Sequence, residues 1–187
     1  MKIRIIQVKT LEELAGMSHI HQQVFENQMG IKLAPDVTGL GGRATHLLAL
    51  LGGEPVGTLS VIDTTGNQQL HETFGLKFDG EARVARYIHL AVLKPYRGMN
   101  IPLALMLDAY RGVIVPREFD YSWLLFDVER APNSFLSRHL GFNTLPQTFV
   151  SEYGCRSPLL REERTPRTRH AIDKAEEYLR QVQSIAA

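Results

Sequence analysis

The chain has one cysteine, Cys155, in 187 residues. No disulfide framework can form within it, and a reducing compartment suits it. Net charge is nearly absent as well: 21 Lys and Arg against 20 Asp and Glu leave +1. That balance gives no broad basic field of the kind a general nucleic-acid binder carries. No apolar run approaches the roughly 18 residues of a membrane span. The opening MKIRIIQVKT lacks the apolar core and small-residue cleavage site of a secretory signal. Internal repeats and low-complexity tracts are missing too. A cytoplasmic protein is expected. What is present is an ordinary globular composition, 44% hydrophobic and 22% charged, in a length that suits one domain with a sizeable core.

Hydrophobic spacing divides the chain into alternating strands and helices. Ile3 to Val8 is β-branched and reads as a strand. Leu14, Met17, Ile20, Val24 and Phe25 fall at helical spacing, and Gly30 marks a stop. Two apolar runs flank Gly52-Gly53, a hairpin signal, and Gly57 inside the second run points to a bulge or a close backbone approach. A short helix is expected at Gln68 to Phe74, a strand at Val84 to Leu93, a helix at Asn100 to Val115 and a strand at Tyr121 to Val128. Another short helix covers Pro132 to Leu140, closed by Gly141. Broken strand pieces follow to Tyr153, and a helix runs from Thr168 to Ile185. The two central strands, joined through a helix, should lie parallel with a right-handed crossover.

The junction after Leu93 carries the most chemistry. Its sequence, HLAVLKPYRGMNIPLALML, takes a strand through an Arg-Gly turn straight into a helix. Free N–H groups at a helix start form a ready phosphate site. Asn100 tolerates a left-handed backbone, whereas Pro102 removes one donor. His19 and His21 look like a metal pair, but two residues apart on a helix they face different sides. No metal is expected.

With those elements in that order, LAVLKPYRGMNIPLALML and FLSRHLGF resemble the GNAT superfamily of N-acyltransferases over roughly residues 3 to 153. The family's Arg/Gln-x-x-Gly-x-Gly/Ala follows a Leu-x-Val strand end. Leu90, Ala91 and Val92 match that strand and Arg97 the first signature position, while Asn100 and Pro102 stand at the two glycines. HQQVFENQMGI, THLLALLGGEPVGTLSV and YGCRSPLL further resemble acyl-homoserine-lactone synthases and N-acyl amino acid synthases. Where that group usually has Glu-x-x-Arg, this chain has Arg86 and His89.

The resemblance implies an α/β fold with a central mixed, mostly antiparallel sheet flanked by helices, plus an extra C-terminal helix. Residues 1–155 would form the acyltransferase domain, and 156–187 a basic segment and helix packed on it. The implied donor is acyl-CoA or acyl-phosphopantetheine on acyl carrier protein, held by Leu90, Ala91, Val92, Arg97, Gly98, Met99, Asn100, Ile101 and Leu103. The implied acceptor is the primary amine of a small molecule such as an amino acid. His89, read as sharing a strand face with Tyr87 and Ala91, is the candidate base; the other reading is a half-buried histidine bonded to a neighbouring strand. Asp127 and Glu129 could hold the amine or take its proton, or simply be a solvated strand end. Arg86 stays protonated and could pair a substrate carboxylate, with Tyr87 beside it. Ser137 stands near the family's tyrosine acid. Arg156, Arg161, Arg164, Arg167 and Arg169 read as a solvated surface paired with Glu162 and Glu163, or as a dock for an acidic carrier protein. The rival to an enzyme is a catalytically degenerate module of the same fold that binds a thioester or a partner for regulation. Oligomeric state stays open.

Overall fold

The computed structural model describes residues 3–32, 43–129, 134–151 and 154–185. Strand β1 (Ile3–Gln7) leads into α1 (Leu11–His21). Thr10 caps that helix reciprocally: its hydroxyl accepts from Glu13 N–H at 3.2 Å, and the Glu13 carboxylate takes Thr10 N–H at 2.9 Å. The helix widens to a π-type turn at Gln22–Asn27 and stops where Gly30 turns left-handed. Strands β2 (Ala44–Leu51) and β3 (Glu54–Asp63) form the expected hairpin about Gly52 and Gly53, both at positive φ. The glycine-rich segment before β2 lies largely outside the described residues. Helix α2 (Gln68–Thr73) precedes β4 (Val84–Val92). A 3₁₀ turn at Lys94–Tyr96 then leads to α3 (Ile101–Ala109), which continues as a π-type turn through Tyr110–Ile114. Strand β5 (Tyr121–Asp127), α4 (Phe135–His139), β6 (Asn143–Thr144), β7 (Phe149–Ser151), β8 (Gly154–Glu162) and α5 (Pro166–Ile185) complete the chain.

The sheet runs β1-β2-β3-β4-β5-β8-β6, with β7 also on β8. Among the described residues only β4 and β5 pair in parallel; the other pairs are antiparallel. Alternation along β2 sorts the two faces. Leu47, Ala49 and Leu51 pack with α3 and α5 residues such as Leu105, Met106, Ile172 and Ala175. Leu48 and Leu50 face α1 through Met17, Ile20 and Phe25. Trp123, Val84 and Leu76 make a smaller cluster near α2 on that second face.

One expectation needs correction. The boundary at 155/156 cuts through β8, a nine-residue strand that pairs with β5 along its whole length, Tyr121↔Glu162 to Asp127↔Arg156. The segment from 156 onward is therefore part of the sheet. Its arginines are not all solvated: Arg161 is 1% exposed, and Glu163 only 5%. The alternation is hidden because Arg161 occupies an inward position and makes it look polar.

Candidate active site

The site is built where β4 changes its pairing. Thr58 pairs with Ala91 and Ser60 with Ile88, so Leu59 alone faces both His89 and Leu90. This is a β-bulge, and His89 sits in it at φ 54°. A left-handed histidine in a strand is a strained conformation that the surroundings must hold in place. On its other edge, β4 meets β5 only from Val84↔Tyr121 to Arg86↔Trp123. Past that point the two strands part, leaving a gap flanked by the rest of β4. Leu93 N–H donates to Val56 C=O at 3.0 Å. Strand alternation then turns the Val92 N–H and C=O toward the gap.

The junction closes this gap at its upper end. Gly98 (φ 91°) and Asn100 (φ 58°) are both left-handed, so asparagine does hold the backbone shape at the first glycine position. Ala104 N–H makes the first helical bond, to Asn100 C=O at 3.0 Å. The N–H groups of Ile101 and Leu103 precede it and are orphans of the helix start; those of Gly98 and Asn100 also have no protein acceptor among the described residues. Pro102 lies within that first turn and offers none. Gly57 lets α3 come this close. A Cβ there would lie 2.8 Å from Ile101 Cγ2 and 3.1 Å from Ala91 C=O. These donors fit a phosphate group through backbone alone; Ile101 and Leu103 contribute side chains to the core, and Met99 is exposed.

Arg97 does something else. Its Nε donates to Val92 C=O at 3.1 Å and its Nη2 to Gln28 Oε1 at 2.5 Å. It ties the turn before α3 to the end of the α1 helix. The Val92 carbonyl is thus occupied, while the Val92 N–H faces the gap.

The bulge brings three imidazoles together. The His89 and His21 rings lie 5.3 Å apart, and Phe25 stands edge-on to both at 5.7 Å. His46 belongs to the same group and its Nδ1 is 2.8 Å from Ser60 Oγ. Burial pushes His89 and His21 down to about 4; Arg86 and His46 add to the effect at His89, as His89 and His46 do at His21. Nδ1 of His89 and Nε2 of His21 are buried without a hydrogen-bond partner among the described residues. His89 is therefore neutral at pH 7 and a weaker base than a free imidazole. The sequence pointed to His89 and not to His21 or His46, because their meeting depends on the register of three separate elements.

The extra bulge residue changes which side chains share a face. His89 lies with Ala91 and Arg86 on the α1 side, whereas Tyr87 points to the opposite face. Tyr87 is 3% exposed and accepts from Arg161 Nη2 at 3.3 Å. It does not stand beside Arg86 or His89. The Arg86 guanidinium stacks over Trp123 at 4.5 Å and Phe74 at 5.2 Å. Asp127 and Glu129 close β5 on the far lip of the gap, where Asp127 Oδ1 accepts Glu129 N–H at 3.0 Å; the charges acting on His89 are Arg86 and His46. Ser137 serves a helix start, its N–H donating to Ser134 Oγ at 3.3 Å. Cys155 is exposed on β8.

On the α3 face, behind the paired stretch of β4 and β5, lies a buried ion pair. Arg161 Nε and Nη2 reach Glu163 Oε1 at 3.0 and 2.9 Å, and Nη1 reaches Leu140 C=O at 3.0 Å. Its guanidinium stacks on Phe142 at 4.5 Å. This gives the LGF segment its physical role: Leu140 supplies the carbonyl, Gly141 turns left-handed against Ala171, and Phe142 covers the charge.

No protein-family model and no curated protein sequence matches the chain. Solved structures do. FeeM, an N-acyl amino acid synthase from uncultured soil microbes, superposes with a TM-score of 0.68 at 13% identity, over 87% of this chain and 91% of its own. The CoA-dependent acyl-homoserine lactone synthase BjaI, solved with SAM and isopentyl-CoA, gives 0.68 at 17% identity, over 95% and 88%. An acyl-CoA N-acyltransferase from Pseudomonas aeruginosa gives 0.65 at 17% identity, over 86% and 98%. With the parted β4 and β5, the bulge and the helix start above them, these likenesses establish that the chain has the fold of the GNAT N-acyltransferases.

Proposed function

We propose that the protein is an N-acyltransferase that moves an acyl group from a phosphopantetheine thioester to the primary amine of a small molecule. One observation carries the reading: unpaired backbone N–H groups at the start of α3 stand directly above the gap where β4 and β5 part. A thioester donor needs a phosphate anchor and a slot for an extended arm, and these features are contiguous here. Acyl-CoA and acyl carrier protein both present such an arm; with Pro102 silent, the single phosphodiester of a carrier protein is the better match, and we assign it as the preferred donor.

In this reading Gly98, Asn100, Ile101 and Leu103 hold phosphate oxygens through their N–H groups. The Val92 N–H donates to the arm, and the Leu90 N–H, on the same edge at the bulge, is aimed at the thioester carbonyl as negative charge develops on its oxygen. The amine enters from the α1 side, past His21 and Phe25. It attacks the carbonyl carbon, His89 accepts the ammonium proton directly or through water, and the thiolate leaves. Asp127 and Glu129 attract the amine from the far lip, and Arg86 offers a charge to a carboxylate on the acceptor.

A second reading, a thioester-binding module without catalysis, is favoured by the missing donor at Pro102 and by an imidazole held near 4. Steady-state assays with acyl thioesters and an amine panel separate the two. The enzyme reading predicts that His89→Gln lowers kcat at least about tenfold with thioester affinity intact. Unchanged kcat removes His89 from the chemistry. Thioester binding without amide formation by the unmodified protein favours the module.

A further inference from the structure

Away from the gap, a cavity of about 370 Å³ opens between the end of α3 and the start of α5. Its wall combines several departures from regular structure. Tyr110 and Ile114 belong to the π-type turn that extends α3, a geometry often found at functional sites. Glu118 is a non-glycine residue at φ 54°, a strain that the surrounding structure must over-determine. Glu163 is 5% exposed, and its two oxygens differ. Oε1 accepts from Arg161 and from Ser122 Oγ, whereas Oε2 is buried with no hydrogen-bond partner among the described residues. A buried carboxylate oxygen left unpaired is costly, so its presence on a cavity wall asks for a donor from outside.

The charges indicate what that donor belongs to. Arg164 is engaged, giving Nη2 to Glu118 C=O at 2.5 Å and pairing with Asp120 Oδ1 at 3.1 Å. Arg169, also on the wall, has no ion pair among the described residues. Glu163, with its unpaired carboxylate oxygen, and Arg169, with no ion pair among the described residues, therefore belong to the same wall. The same wall holds Ile114 and Phe119, both buried, and Val115, 53% exposed. Ligand sites run from about 300 to 1,000 Å³, so this one suits a small molecule.

We propose that this cavity binds a small zwitterionic amine of the free α-amino acid class. Its ammonium donates to Glu163 Oε2, its carboxylate pairs with Arg169, and its side chain packs on Ile114, Val115 and Phe119. The site is separate from the acyl-transfer gap and its existence does not rest on that reaction. It is connected to the gap through one residue, since Arg161 holds Glu163 on one side and the Tyr87 hydroxyl of β4 on the other.

Calorimetric titration of the full chain with the standard free L-amino acids, without any thioester, tests the assignment. Saturable binding of an apolar amino acid is expected. Its amide, which lacks the carboxylate, and its N-acetyl derivative, which lacks the ammonium, should each bind at least tenfold more weakly. Arg169→Gln, an exposed position, should match the loss seen with the amide. Glu163→Gln disturbs the Arg161 pair and could unfold the chain, so Val115→Trp, which adds bulk to the same wall, provides the second variant and should abolish binding. No binding by any amino acid overturns the proposal. So does binding unaffected by Arg169→Gln and Val115→Trp, which would put the ligand elsewhere, the acceptor side of the gap included.

Discussion

Acid should destabilise this protein through the imidazoles at the bulge. His21 and His89 are held near 4, against an ordinary value of 6.5. As pH falls below 6.5 the unfolded chain takes up protons that the folded chain refuses, so stability rises with pH across this window. The contribution is complete above about 6.5 and is lost progressively down to about 4. At ~1.4 kcal/mol per pH unit, the gap for one imidazole comes to roughly 3 kcal/mol. The two rings act on each other and on His46, so their joint effect is smaller than twice that. Against a typical stability of about 5–15 kcal/mol, the loss is large. Urea unfolding measured at intervals from pH 7.5 to 4.5 should show the midpoint falling steadily below pH 6.5. His21→Phe, which keeps an aromatic ring beside Phe25 and His89, should flatten that fall by about half. A midpoint that holds constant from pH 7.5 to 5, or a fall that His21→Phe leaves unchanged, would refute the placement of these rings in a shared dry pocket. The same cause bears on rate: His89 has lost its proton well below neutrality, so any rise in turnover above pH 6 should track the acceptor amine instead.

Three further outcomes test other parts of the site. Pro102→Gly restores one N–H at the start of α3 and should tighten CoA binding by about 1 kcal/mol in calorimetry, while lowering thermal stability slightly because glycine loosens the unfolded chain; unchanged affinity would mean that the turn does not hold the diphosphate. Gly57→Ala pushes a methyl group against Ile101 and the Ala91 carbonyl, and should cost about 1–3 kcal/mol in thermal melts; a neutral result would contradict the close approach of β3 to α3. Arg161→Met leaves Glu163 charged and buried without its partner, at a cost of about 3–5 kcal/mol. The double change Arg161→Met with Glu163→Gln should recover much of that in urea unfolding, and its failure to do so would show that the arginine's packing on Phe142, not the ion pair, holds this region.

Some of this was legible in the chain because its causes are local. The Gly52-Gly53 turn, the stop at Gly30, Gly141 after α4 and the left-handed Asn100 each follow from what one or two residues permit their own backbone to do. The parallel pairing of β4 and β5 follows from the crossover through α3. The bulge does not work that way. It arises because β3 and β4 change register around Leu59, and nothing within VARYIHLAV announces the extra residue. That one residue reverses the facing of His89 relative to Tyr87, which is why strict alternation placed the two together. Strand β8 was obscured for a related reason: Arg161 and Glu163 read as surface charges when taken singly, and only the fold brings the ion pair, Ser122 and the Leu140 carbonyl into one dry space. Arg97 shows a third limit. Its place in the turn follows from the sequence, but its partners, Gln28 and the Val92 carbonyl, lie on other elements, so the tie it makes between α1 and the turn before α3 could not be read from the chain.

Incubation of the purified chain with a panel of acyl thioesters, on CoA and on acyl carrier protein, together with a mixture of amino acids and other small primary amines, examines the central claim most directly when the products are read by mass spectrometry. The account predicts a new amide whose mass equals thioester plus amine minus the released thiol, formed faster from the carrier protein than from CoA. Thiol release without amide, or neither product from any pair while the thioester still binds, would contradict it.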